Sequence, residues 1–258
     1  MFFVCNKDKI ISVLVAFSTV LVLFLIATTF KQNSLEDSIQ TSSGTSKMLP
    51  IYSVDTEENK IALTINCAWN AEDIDLILET LSKNEVKDTF FMVGEWVNKF
   101  PDAVKKIRES GNEIANHSES HAHVNNLSYE ENVEQIIECS DRIQNITGKP
   151  TTLYRGPYGE YNNTVVKAAD DANHIMVQWS IDTLDYNGLT GEQMWQRIGP
   201  KLKKGSIILM HNGTENTALS LDMIIKNIKE KGLDLVTVSE LIYKENYSID
   251  NNGIQHKK

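Results

Sequence analysis

Ile61-Ala62-Leu63-Thr64-Ile65-Asn66 carries no charge, and its first five residues are apolar or β-branched. Such a run suits a strand covered on both faces. A helical stripe follows over 71–83, where Ile74, Ile77, Leu78 and Leu81 share one side. Asp88-Thr89-Phe90-Phe91-Met92-Val93 is the next β-rich run, and from there the alternation repeats. Pro101 opens a helix that Gly111 closes, and Glu113–Asn116 reads as a third strand. Ser128 with Glu131 makes a capping box for a long helix ending near Gly148. Thr152–Arg155, Ile175–Ile181, Ser206–Met210 and Asp234–Val238 read as strands four to seven. Helices are expected between them over about 163–172, 191–203 and 218–231, with Pro200 distorting the second and Ser239 capping a last short one. Seven strands alternating with helices imply parallel pairing with right-handed crossovers. A barrel and an open doubly wound sheet both fit this pattern. No Gly-rich phosphate loop follows the first strand, which counts against a dinucleotide fold.

Outside this block the character changes. Ile10 to Phe30 has no charge and is long enough at ~1.5 Å per residue to cross a bilayer core of roughly 30 Å. Lys7 and Lys9 precede it, so the positive-inside rule predicts a cytoplasmic tail at 1–9, an uncleaved signal anchor at 10–30 and everything after it outside the membrane. A cleaved signal peptide is the competing reading. Residues 31–58 read as a flexible linker, 59–245 as the folded domain, and 246–258 as a disordered tail. The net charge of −10 leaves no basic face for nucleic acid. Three cysteines are too few for a disulfide framework; Cys67 and Cys139 read as separate buried thiols, with a pairing between the two as the alternative. A monomer is expected.

The chemistry gathers where strands end, which is where parallel α/β folds place their sites. The first run ends on Asn66-Cys67-Ala68-Trp69 and the third runs into His117-Ser118-Glu119-Ser120-His121. Two imidazoles four residues apart can converge on Zn²⁺ or a similar ion, although a polar loop with surface histidines has the same spacing. The fourth strand delivers Arg155-Gly156-Pro157-Tyr158, the fifth Asp182 and Asp185, and the sixth Leu209-Met210-His211. Polar groups at five ends of one rim favour a site over scattered solvated charges.

Taken together these segments resemble the polysaccharide deacetylases (the NodB-homology domain, carbohydrate esterase family four) over about Asn59 to Ile242. His117-Ser118-x-x-His121 is similar to the family's metal-binding pair, Arg155-x-Pro157-Tyr158 to its groove motif, Asp182-Thr183-Leu184-Asp185-Tyr186 to its DxxDW motif with Tyr for Trp, and Leu209-x-His211 to its LxH motif. A membrane-anchored, sporulation-associated subgroup is the nearest in pattern. The resemblance implies a distorted (β/α) barrel of about seven parallel strands behind one N-terminal transmembrane helix. It implies removal of N-acetyl groups from an extracellular cell-wall glycan, peptidoglycan or chitin-like, with a divalent metal, Zn²⁺ first and Co²⁺, Ni²⁺ or Mn²⁺ as alternatives. His117 and His121 would hold the metal. His211 would be the general acid, oriented by Asp185, and a backbone N–H near Tyr158 would serve the oxyanion. Trp69, Pro157, Tyr158 and Leu209 would line the groove, and Arg155 would hold the base.

The first motif departs from the family. Thr64-Ile65-Asn66-Cys67-Ala68 stands where Thr-Phe-Asp-Asp-Gly is usual, so Asn66 occupies the base position and Cys67 a ligand position. An amide accepts no proton near neutral pH. Cys67 could bind Zn²⁺ as a thiolate or point into helix packing, and Asp73 is the candidate replacement ligand. Three functions follow: a metal-dependent N-deacetylase impaired by Asn66, a catalytically silent glycan-binding protein, or a hydrolase of another acyl substrate. Trp96, Trp179 and Trp195 read as core, His123 as a rim residue, and His174 and His256 as surface.

Overall fold

The computed structural model describes residues 47–258. The expected tail at 1–9, the membrane span at 10–30 and the linker up to 46 lie outside the described residues. Among the described residues no helix is long and apolar enough to cross a membrane.

In chain order the elements are β1 (Ser53–Val54), β2 (Lys60–Cys67), α1 (Ile74–Lys83), β3 (Thr89–Met92), α2 (Gly94–Lys99), α3 (Pro101–Glu109), β4 (Glu113–Asn116), α4 (Tyr129–Thr147), β5 (Leu153–Tyr154), α5 (Asn163–Asp171), β6 (Ile175–Met176), β7 (Ile181–Asp182), α6 (Gly191–Ile198), β8 (Ile207–His211), α7 (Thr217–Glu230), β9 (Asp234–Leu235), α8 (Val238–Leu241), β10 (Tyr247–Ile249) and β11 (Ile254–Lys257). The main sheet runs β6-β5-β4-β3-β2-β8-β7, with β9 also on β2, and every pairing in it is parallel. This is a half-barrel of seven parallel strands wrapped by helices.

Alternation along β2 sorts the two layers. Ile61, Leu63, Ile65 and Cys67 face the helices and pack with Ile74, Ile77, Leu81, Leu221 and Ile224. Ala62 faces inward with Phe91, Ala115, Val177 and Ile207. Register then carries Asn66 beside Phe91 on one side and His211 on the other, at the carboxyl end of the sheet. Capping follows the sequence at α4, where Ser128 and Glu131 close a capping box. At the last helix Thr237, not Ser239, is the cap, paired with Glu240.

Four expectations are corrected here. The run 175–181 is not one strand: β6 lies at one edge of the sheet and β7 at the other, so residues 177–180 bridge the open side. The linker is packed from Lys47 onward: Ile51 is buried and bridges to Val177, its N–H donating to the Met176 carbonyl while its carbonyl accepts from Gln178. The tail is a hairpin, β10 antiparallel to β11, with β1 parallel to β11. Its buried anchor is Gln255, whose amide exchanges two hydrogen bonds with the backbone of Tyr243 at 2.9 and 2.6 Å. A polar anchor in a polar segment hides such a hairpin from hydrophobic patterning. His174 also departs from its surface reading; it is buried against Thr151 at 2.8 Å.

Asp88, just before β3, is fully buried with neither carboxyl oxygen hydrogen-bonded among the described residues. Burial pushes its pKa well above the ordinary carboxylate value. A carboxyl with a raised folded pKa costs stability as pH climbs above its unfolded value, at about 1.4 kcal/mol per pH unit until the folded value is reached. Asp88→Asn is therefore expected to raise the melting temperature at pH 7 by several degrees and to leave it nearly unchanged at pH 4. Equal melting curves at pH 7 would refute the neutral, unpartnered carboxyl.

Candidate active site

At the carboxyl ends of the strands a cavity of about 320 Å³ is lined by Asn66, Trp69, His117, His121, Tyr158, Trp179, Asp182, Tyr186, Leu209 and His211, with Ala68 and Gly159. Backbone outliers cluster around it: Ser118, His121, Tyr158 and Leu184 all have φ between 55° and 71°. Each such non-glycine conformation costs on the order of 1–2 kcal/mol, and clusters of this kind mark functional sites.

His211, the last residue of β8, stands on one wall. Its Nδ1–H donates to Asp185 Oδ1 at 2.9 Å, and its backbone N–H donates to Oδ2 at 2.6 Å. Asp185 is fully buried and also accepts from Thr217 Oγ1 at 2.7 Å and the Tyr186 N–H at 3.0 Å. Four donors hold the carboxylate and fix the imidazole tautomer, leaving His211 Nε2 as the free ring nitrogen. Trp69 and Tyr186, each about half exposed, flank this ring with centroids 5.3 Å away.

On the other wall His117 and His121 have ring centroids 5.1 Å apart at 79°. His117 Nδ1–H donates to the Arg155 carbonyl at 2.7 Å, so its Nε2 is the acceptor. Burial lowers the pKa of both rings, most strongly at His117, and keeps them neutral.

Asn66 connects these parts. Arg155 Nη1 donates to Asn66 Oδ1 at 2.9 Å, which fixes the amide so that Nδ2 donates to His117 Nε2 at 3.1 Å. The same Nη1 reaches Thr64 Oγ1, while Nε and Nη2 donate to the Val177 and Gln178 carbonyls. Arg155 is fully buried, sits over the Phe91 ring at 3.9 Å and has no carboxylate partner among the described residues. Burial pulls its guanidinium down to about 9, which leaves it charged at neutral pH.

The expected metal set assembles only in part. His117 and His121 come together with neutral rings, one oriented by a carbonyl as metal-bound imidazoles usually are. Asp73 does not join them: its oxygens accept from Gly213 N–H at 2.7 Å and Asn212 Nδ2 at 3.3 Å, which ties α1 to the loop after β8. Cys67 faces the helix layer, fully buried, with its thiol pKa pushed up. Among the described residues no group of three His, Cys, Asp or Glu side chains is placed to hold a metal. Two imidazoles, one with its lone pair already taken by Asn66, do not make the three-donor site of a resident catalytic ion.

The groove residues divide. Trp69, Tyr158 and Leu209 line the cavity, whereas Pro157 is buried and shapes the turn Pro157–Gly159. Trp179, read as core, is part of the wall; Gly159 presses on it so closely that a Cβ would meet the indole at 2.9 Å. Thr217, which fixes Asp185, carries no sequence signal beyond following His211 by one loop.

A family model for polysaccharide deacetylase matches residues 53–177. The chain is 33% identical over 186 residues to a peptidoglycan-N-acetylglucosamine deacetylase of Bacillus cereus, covering 70% of this chain and 68% of that protein. It is 34% identical over 193 residues to the uncharacterized protein YlxY of Bacillus subtilis, of which the match spans only 60%. Among solved structures it is similar to BA3943, a CE4 family pseudoenzyme from Bacillus anthracis, with a TM-score of 0.73 and 32% identity over 81% of this chain and 73% of that one. A mutant of that pseudoenzyme with restored enzymatic activity superposes with a TM-score of 0.72 at 34% identity, over 74% of this chain and 70% of that one.

Proposed function

The chain belongs to the polysaccharide deacetylase family, and from that premise we propose that it engages N-acetylated cell-wall glycan in the aromatic-walled pocket, with amide hydrolysis held low by Asn66. The observation that carries this is the amide itself. It stands between Arg155 and His117 with both ends hydrogen-bonded. A deacetylase needs a proton acceptor there to activate water, and an amide supplies none. The acid half keeps its frame: buried Asp185 orients the His211 ring so that Nε2 faces the pocket, placed to take up a proton and pass it to a leaving sugar amine. Binding without turnover is therefore the property the site supports best. Peptidoglycan is the substrate class of this reading, supported by the name of a relative, a peptidoglycan-N-acetylglucosamine deacetylase.

The apolar run 10–30 supports a membrane anchor with the domain on the cell-wall side, and a sporulation-associated role is the finer expectation of the subgroup. Metal binding in this reading is weak and governed by Asn66. Zn²⁺ titrated calorimetrically is expected to bind more tightly to Asn66→Ala than to the wild-type chain, because loss of the amide frees His117 Nε2. Equal affinities would remove the amide block from the account. The function itself is tested by titrating N-acetylglucosamine oligomers and by following acetate release. Binding with little release is expected, and brisk release by the unaltered chain would overturn it.

A further inference from the structure

Tyr158 is the most exposed aromatic of the pocket, at 59%, and it is held in a left-handed conformation at φ 59°. Such a residue needs an external brace. His123 provides one: its ring stacks on Tyr158 at 4.2 Å and 13°, while the Tyr158 ring meets His121 at 4.6 Å and 71°. His123 is itself held, its Nδ1–H donating to Glu160 Oε1 at 2.7 Å. The other oxygen of Glu160 accepts the Asn125 N–H at 3.4 Å, joining the loop after β4 to the turn after β5. Gly156 lets that turn fold back, since a Cβ there would run into the Glu160 carbonyl. Tyr158 lines the cavity; His123 and Glu160 do not.

We infer that His123, locked by Glu160, positions Tyr158 as the pocket wall against which the N-acetylated sugar packs, and so sets the affinity for the glycan. The inference rests on the glycan reading above. Neither residue touches the reacting atoms; both act through the Tyr158 ring and, through its φ, its backbone N–H. A stacked aromatic pair contributes about 0.5–1.5 kcal/mol, so its loss weakens binding roughly 3- to 10-fold.

The experiment titrates N-acetylglucosamine oligomers into the full chain and its variants by calorimetry, and reads the ring-current shifts of the Tyr158 protons by NMR without ligand. His123→Ala is expected to weaken binding by that factor, to release the Tyr158 shifts and to leave the melting temperature within a degree or two. His123→Phe, which keeps a stacking ring, is expected to restore both affinity and shifts. Glu160→Gln is expected to fall between. Unchanged affinity in His123→Ala, or no rescue by His123→Phe, overturns the inference. If the unaltered chain binds no oligomer, the glycan reading fails, and the shifts alone decide the brace: unchanged in His123→Ala, they overturn it too.

Discussion

Asn66→Asp is expected to raise acetate release from N-acetylglucosamine oligomers by about 10²–10⁴-fold, the span that a positioned general base contributes. The place is prepared for a carboxylate. Arg155 Nη1 already donates to Oδ1 of the amide at 2.9 Å, and an ionised carboxylate in its stead would meet the same buried guanidinium. Pairing two buried opposite charges holds the carboxylate ionised and gives Arg155 the counter-charge it lacks. The melting temperature should therefore rise with the activity. The second oxygen, in place of Nδ2, would face the His117 lone pair and favour a cation between them, so assays run with and without Zn²⁺ should separate. His211→Ala in the Asn66→Asp background should lose the gain, because the leaving amine would have no acid. An Asn66→Asp chain as silent as the wild type would mean that the site is disabled beyond its base. The first suspect would then be Cys67, turned into the helix layer where the family pattern has a ligand.

Arg155→Met should cost about 3–5 kcal/mol of stability and lower the melting temperature by roughly 10 °C. The reason is not a lost ion pair. Four acceptors, Thr64 Oγ1, Asn66 Oδ1 and the carbonyls of Val177 and Gln178, depend on this one side chain. Buried acceptors left bare cost about 1–3 kcal/mol each before relaxation. Two of them lie in residues 177–180, the bridge across the open side of the sheet, so the variant should also loosen the pocket wall that carries Trp179. Arg155→Lys keeps the charge but not the planar fork and should recover only part of the loss. A loss under about 1 kcal/mol in Arg155→Met would show that water replaces the guanidinium at little cost.

The sequence was readable where side-chain periodicity and motif spacing speak for themselves. Residues 61–66, the stripe over 71–83 and the capping box at Ser128 give the alternating parallel architecture, and the strand-end motifs converge on one pocket as their order implies. Three features were not legible, each for a physical reason. The run 175–181 is β-rich throughout, yet its two ends pair with opposite edges of the sheet; local pattern contains no information about which edge a strand joins. The hairpin at 247–257 is anchored by a buried glutamine, which composition scores as polar. Asp73 and Cys67 lie close in sequence to Asn66, but their side-chain directions are set by strand parity and by the loop at 212–213. The Arg155–Asn66–His117 chain was half visible: the substitution at 66 could be seen, but not that the amide occupies the histidine's free lone pair.

The strap at 47–55 has a mechanical consequence. A pull arriving through residues 1–46 enters the fold at Lys47. It meets, in series, Met48 on Asn163, Ile51 on Met176 and Gln178, Tyr52 on Gly253, Val54 on Gly205 and Asp55 on Gln255. All of these precede β2, the first strand to carry a pocket residue. Tension along the chain is therefore met by these hydrogen bonds, the first to the Asn163 side chain and the rest between backbone groups, before it reaches Asn66 on β2. Through Ile51 the strap is tied to Met176 and Gln178, so such a pull bears on the chain beside the wall residue Trp179 before it reaches Asn66.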